Sequence, residues 1–237
     1  MSKARIIEAV QQLDLTTTKA LLKTKPSLLD VWNRQGRNLL HLACGTNVKK
    51  LGVRESTAAR MVDFLLDQGM KIEEPDLGRD RCTPLFFAVA SGRNLTVVKL
   101  LIKRGARPAL APGVALFAAG WWGDLKILDL LIRHGAEIDV VVGCTPFMAC
   151  WFWKQFEAAK FLVMKGANVN FQDPRNGKTA LLYGVEREYE PSLLKWLVQH
   201  GASPNIEDNK GVTPRLKASR KRDKKWFKAI EVGAVVL

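Results

Sequence analysis

Three histidines and four cysteines carry the side-chain chemistry that nucleophilic, acid–base or metal catalysis would need in this 237-residue chain. Cys44, Cys82, Cys144 and Cys150 form no CxxC pair and have no nearby histidine at metal-ligand spacing, which argues against a zinc site. Cys44 and Cys150 stand where related segments carry alanine, the pattern of small buried apolar residues in a reducing compartment. His134 and His200 share one slot, directly before Gly-Ala, in two similar segments, and His41 belongs to a recurring helix-start motif. No GxSxG, GxxxxGK or HExxH run occurs, and no paired carboxylates lie outside recurring positions. The expectation is a chain without catalytic residues, metal or cofactor.

Aromatic and cationic side chains offer recognition chemistry instead. Trp121 and Trp122 in GWWG, and Phe152 and Trp153 in WFWKQF, are adjacent large rings. Adjacent positions on a helix cannot all face inward, so some of these rings must be exposed, and exposed aromatics mark contact sites. The bland alternative is that the rings pack on one another and contribute stability only. Charge is uneven: the formal net charge is +14, of which residues 78–112 supply +6 and residues 210–237 supply +7. Such segments attract an acidic protein, nucleic acid or an anionic surface. Nucleic acid is the disfavoured partner, because its binders bring aromatics and cations onto one surface, whereas residues 113–143 carry a net charge of −2.

The elements that must position these residues follow from internal repetition. Segments ending in Gly-Ala recur as VVKLLIKRGA (97–106), ILDLLIRHGA (127–136), AAKFLVMKGA (158–167) and LLKWLVQHGA (193–202), and MVDFLLDQGM (61–70) is a fifth that differs at its last residue. A second motif recurs as NLLHLAC from Asn38, TPLFFAV from Thr83, VALFAAG from Val114, TPFMACW from Thr145, TALLYGV from Thr179 and TPRLKAS from Thr213, with starts 45, 31, 31, 34 and 34 residues apart. Threonine before proline is a helix start: the hydroxyl of Thr83, Thr145 or Thr213 can accept from a first-turn amide, and the proline lacks an amide that would go unused. Gly105, Gly135, Gly166 and Gly201 fit the left-handed conformation that closes a helix. Each repeat reads turn, short helix, longer helix, turn. One such hairpin exposes apolar residues on two sides, so neighbours must stack to bury them.

With TPLHxA-like and LLxxGA-like motifs in that order at a period near 33, the chain resembles the ankyrin-repeat family over nearly its whole length. It departs from the family pattern where the histidine survives only as His41 and where Asn38 and Val114 replace threonine. The resemblance implies an all-α solenoid of stacked helix-turn-helix units with short β-turn tips, curved and capped at both ends. Residues 1–237 are read as one domain: an amino-terminal cap at 1–33, five internal repeats at 34–208 and a basic carboxy-terminal capping repeat at 209–237. About ten extra residues follow Cys44, so GTNVKKLGVRE at 45–55 is expected to be a projecting loop, functional or merely mobile.

The resemblance also implies where a partner docks. In this family the residues directly after the Ala-Ala of the first helix face the concave surface. The matching positions here are Ala90 and Ser91, Trp121 and Trp122, Phe152 and Trp153, Glu186 and Arg187, then Arg220 and Lys221. The expected function is a protein–protein interaction module in which Trp121, Trp122, Phe152 and Trp153 anchor an acidic protein while Arg187, Arg220 and Lys221 orient it. Val141, flanked by Val140 and Val142, occupies a turn tip that other repeats make polar; it either extends the patch or packs between turns. The two other readings are nucleic-acid or anionic-surface binding through 78–112 and 210–237, and a structural or self-associating solenoid. The carboxy-terminal basic run serves equally as a solvated cap or a binding surface.

The longest stretch without a charge, Pro108 to Gly123, is shorter than the roughly 20 apolar residues of a membrane helix. Glu8 and Asp14 interrupt the segment where a secretory signal needs an unbroken apolar run. No membrane span is expected, and the location expected is cytoplasmic.

Overall fold

The computed structural model describes residues 2–109 and 114–231. Residues 110–112 of the first basic segment and 232–237 of the carboxy-terminal cap lie outside them. Among the described residues the regular structure is helical, with two isolated antiparallel bridges, Trp32 to Asn38 and Val142 to Cys144, and no strand. The all-α reading of the sequence holds. The chain falls into two compact units, Met1–Glu137 and Ile138–Leu237.

The first unit begins with α1 (Lys3–Gln11) and α2 (Leu15–Thr24), then a 3-10 turn at Pro26–Asp30. Next come α3 (Leu39–Gly45), α4 (Val48–Leu51) and α5 (Glu55–Asp67). A third hairpin pairs α6 (Pro84–Phe87) with α7 (Leu95–Lys103), and a fourth pairs α8 (Val114–Trp122) with α9 (Leu125–Arg133). Caps fix the starts: Asp14 accepts from Thr17 N–H at 2.9 Å, and Asn94 from Thr96 and Val97 N–H at 3.0 and 3.1 Å. At α3 the cap is reciprocal, since Asn38 Oδ1 accepts from His41 N–H while His41 Nδ1 accepts from Asn38 N–H. His41 is therefore a buried structural residue, and burial lowers its pKa to about 4, which leaves the ring neutral.

Stacking supplies the core. The apolar stripe of α7 (Val97, Val98, Leu101) and that of α9 (Ile127, Leu128, Leu131) are buried, and α5, α7 and α9 pack in sequence, as do α3, α6 and α8. Each fully buried aliphatic side chain contributes about 1.5–3 kcal/mol relative to exposure, and a single hairpin could bury only one of its two sides.

Two expectations change here. The segment 45–55 is not a bare projecting loop: Asn47 caps α4 by accepting from Lys49 and Lys50 N–H, and Val48 is buried. Thr83 does not cap α6, and its hydroxyl is buried without a partner. Between Thr83 and the left-handed Arg93 there is one residue more than between Thr145 and Lys154 or Thr179 and Glu188. The helix absorbs it as a π turn at Ala88–Gly92.

The second unit holds α10 (Pro146–Phe152) with α11 (Phe156–Met164), α12 (Ala180–Glu186) with α13 (Pro191–Gln199), and α14 (Pro214–Ser219) with α15 (Lys225–Ile230). Thr145, Thr179 and Thr213 accept from the third helical amide at 3.3, 3.3 and 3.0 Å, as helix-start threonines do. At the other helix ends, Gly105, Gly135, Gly166 and Gly201 have φ of +96°, +86°, +98° and +93°, the conformation their place in the repeat predicts.

Candidate functional site

In the first unit, α8 ends on Trp121 and Trp122 and is terminated by Gly123 at φ +70°. Both indoles are 41% exposed, and they stack with ring centroids 6.4 Å apart. Phe117 meets Trp121 edge-on at 6.5 Å. The preceding repeat holds the other face in place. Asn94, already past the left-handed Arg93, bonds Ala88 O at 3.2 Å, and the Ala90 carbonyl, in the last turn of its helix, accepts from Trp122 Nε1 at 2.9 Å. The Arg93 guanidinium lies 4.4 Å over the Trp122 ring. The pair is thus a fixed, partly open apolar surface with a cation on one side.

That stack places one cation beside the aromatic pair. Arg93 comes from the preceding repeat, so cation and aromatic meet in space although they are separated along the chain. The other cations of 78–112 are dispersed: Arg104 is tied to Asp63 and Asp67 at 2.7 Å each, while Arg79, Arg81, Lys99 and Lys103 are exposed.

In the second unit, α10 carries three consecutive rings with three fates. Trp151 is buried at 1% exposure, Phe152 is half-buried and Trp153 is 54% exposed. Phe152 meets Tyr183 edge-on at 4.7 Å. The Arg187 guanidinium covers both rings, at 5.1 Å from Phe152 and 5.5 Å from Tyr183, and donates to Phe152 O at 3.4 Å and to Tyr189 Oη at 3.3 Å. Arg187 is held by its own unit, which makes it a positioned cation that steadies Phe152. Lys221 is likewise engaged, 2.5 Å from a Glu188 carboxylate oxygen and 5.3 Å over the Trp226 ring. Arg220 is exposed.

Beside these residues, Asp173 is fully buried and accepts from Arg175 Nε, Arg175 Nη2 and Tyr183 Oη at 2.9, 2.7 and 2.7 Å. These donors hold its carboxyl well below the usual range, at about 2. Lys178 and Lys217 share Glu186, at 2.7 and 3.6 Å.

Val141 and Val142 are 53% and 36% exposed. In two other tips the position five before the helix cap is polar: Asn33 Oδ1 accepts from Gln35 and Arg37 N–H, and Asp208 Oδ1 from Lys210 and Val212 N–H. Val140 occupies that position here, and the tip closes instead by Val142 N–H donating to Cys144 O at 3.0 Å.

Four cysteines are free and buried, and burial raises the thiols of Cys82 and Cys144 to about 11 and that of Cys150 to about 12. Burial pushes Cys44 up as well. None is poised as a thiolate.

Sequence reasoning missed Arg93, Tyr183 and Tyr189. The signal for the tyrosines was present, since the chain has only two and each follows an aromatic segment by one repeat.

A family model described as ankyrin repeats (3 copies) matches residues 6–112, 115–208 and 147–230. A putative ankyrin repeat protein, L92 of Acanthamoeba polyphaga mimivirus, is 46% identical over 55 residues, a match that spans 23% of this chain and 13% of that protein. Among solved structures, the ankyrin repeat domain of Bcl-3, a member of the IkappaB protein family, aligns with a TM-score of 0.77 at 24% identity, covering 95% of this chain and 97% of that one. The human ASB11 ankyrin repeat domain aligns with a TM-score of 0.73 at 21% identity, covering 95% of each. At these identities the structural likeness speaks for the fold.

Proposed function

The chain belongs to the ankyrin-repeat family, whose domains are generally protein–protein interaction modules, and on that footing we propose that it binds an acidic protein partner through its exposed aromatic residues. The observation that carries this reading is the stacked Trp121–Trp122 pair, in which Trp122 is held by the Ala90 carbonyl and by Arg93 while each ring is left 41% exposed. Rigid, half-open indoles have little entropy left to lose on binding, which is the character of a hot spot. Phe152 and Trp153 supply the equivalent surface in the second unit. An acidic partner fits the formal net charge of +14.

Arg187 acts in this reading by fixing Phe152, Lys221 is tied to Glu188, and Arg220 meets the partner directly. Val141 extends the apolar area at its turn tip. The single-domain organisation, a non-catalytic role and a cytoplasmic location belong to the same proposal. Among the described residues no helix is long and apolar enough to cross a membrane.

The test replaces Trp122 and Trp153 with alanine, checks the fold by circular dichroism, and repeats a capture of partners from native lysate. Loss of specific proteins is expected; an unchanged set removes the aromatic surface from consideration. Nucleic-acid binding, which the Arg93–Trp122 stack makes worth measuring, would show as affinity that falls steeply with salt and survives the double substitution.

A further inference from the structure

The insertion after Cys44 walls a cavity that the repeat pattern does not call for. Its volume is about 270 Å³, and it is bounded by Arg37, Phe87 and Ser91 on one side and by Thr46, Asn47 and Lys50 of the inserted segment on the other. No carboxylate lines it. Of the residues that line it only Arg37 and Lys50 are charged, His41 at the wall being neutral, and the buried Asp76 acts on His41 from outside the lining.

Several cations of this chain already have an acidic partner. Arg104 has Asp63 and Asp67, Lys178 and Lys217 have Glu186, Lys221 has Glu188 and Arg215 has Glu231. Arg37 and Lys50 have no ion pair among the described residues. The Arg37 guanidinium is held 4.4 Å over the Phe87 ring, and its Nε is buried without an acceptor. A buried donor left unpaired costs about 1–3 kcal/mol, so Arg37 is a cation whose hydrogen bonding this chain does not complete by itself. The cavity lies below the roughly 300 Å³ at which small-molecule pockets begin, and it suits one or two side chains better than a nucleotide.

We propose that this cavity receives the carboxylate of an aspartate or glutamate side chain from the bound partner segment, with Arg37 and Lys50 as its donors. The inference rests on the protein-binding reading above and adds a specificity element to it. Ser91 on the cavity wall directly follows Ala90, whose carbonyl holds Trp122, so the acid of the partner and the residue that covers the indoles belong to one short segment. The role of the insertion is then to bring Lys50 to the cavity mouth, where a plain repeat would leave it open.

Random twelve-residue peptides displayed on phage and selected on the intact chain supply the probe, and the winning peptides are then synthesised. A recurrent Asp or Glu beside an apolar residue is expected. Lys50→Gln should weaken the winning peptide about tenfold, the size of one charge-assisted hydrogen bond. Changing the peptide's acid to its amide should cause the same loss, and the two changes together should cost little more than either. Lys50 is exposed and unpaired, so its variant keeps the fold; Arg37→Gln, which also removes packing on Phe87, is the second variant, checked by circular dichroism. Winners that lack a recurrent acid, or that ignore Lys50→Gln while losing affinity for Trp122→Ala, overturn the cavity assignment and leave the protein-binding reading standing. Winners indifferent to both, or none at all, overturn both.

Discussion

The Trp151 indole fills the space that Gly184 leaves: a Cβ at Gly184 would lie 3.1 Å from Trp151 Cζ2 and closer still to Leu194 Cδ2. Gly184 stands in the middle of α12, where glycine costs about 1 kcal/mol relative to alanine, and it recurs at the place where α10 carries Cys150. Its smallness is what lets a tryptophan enter the core of the second unit. Gly184→Ala should therefore destabilise the chain by about 1–3 kcal/mol in spite of its better helix propensity. Urea unfolding would measure this, and pairing the change with Trp151→Phe should recover part of the loss.

Neighbouring rings on α10 should respond very differently to truncation. Trp151 is 1% exposed and meets Tyr189 and Phe156 edge-on at 5.5 and 5.4 Å, whereas Trp153 is 54% exposed. Trp151→Ala should cost about 3–5 kcal/mol, and Trp153→Ala under about 1 kcal/mol. Comparable losses in denaturant midpoint would mean that Trp153 belongs to the core and is not available to a partner.

Two threonines in the same motif should also part company. Thr145 is buried and caps α10 by accepting from Met148 N–H, so Thr145→Val should cost about 1–2 kcal/mol. Thr83 is buried with its hydroxyl unpaired, so Thr83→Val should be neutral within about 0.5 kcal/mol or stabilising. Equal costs in thermal unfolding would show that Thr83 caps α6 in solution.

Acid should destabilise the second unit through Asp173. Its folded pKa is lowered from 3.8 to about 2, so it contributes stability above pH 3.8 that is lost as pH falls towards 2. With Asp173 fully buried but its partner Arg175 69% exposed, the contribution is about 1–2 kcal/mol. Asp173→Asn should flatten the stability profile between pH 4 and pH 2 and lower the plateau above it. An unchanged slope in that window would remove the ion pair from the account.

The sequence by itself determined the architecture, because repeat identity is written in local signals. Proline after threonine, glycine before alanine and the apolar stripes between them act within one hairpin, and the geometry at Thr145, Thr213 and Gly135 follows from chain-local physics. Composition also made clear that some of Trp121, Trp122, Trp151, Phe152 and Trp153 had to be exposed. Which ones were exposed was decided only by tertiary contacts: Trp151 is swallowed because Gly184, one repeat away, makes room, while Trp122 is pinned by the Ala90 carbonyl of the preceding repeat. The cations show the same limit. Arg93 and Trp122 stack across a gap of 29 residues, Arg187 is spent on Phe152 and Tyr183, and Arg37 and Lys50 meet at a cavity formed by an insertion. Pairings between repeats depend on side-chain reach and on which acceptors the backbone leaves free, and neither is encoded within the window that sets a helix.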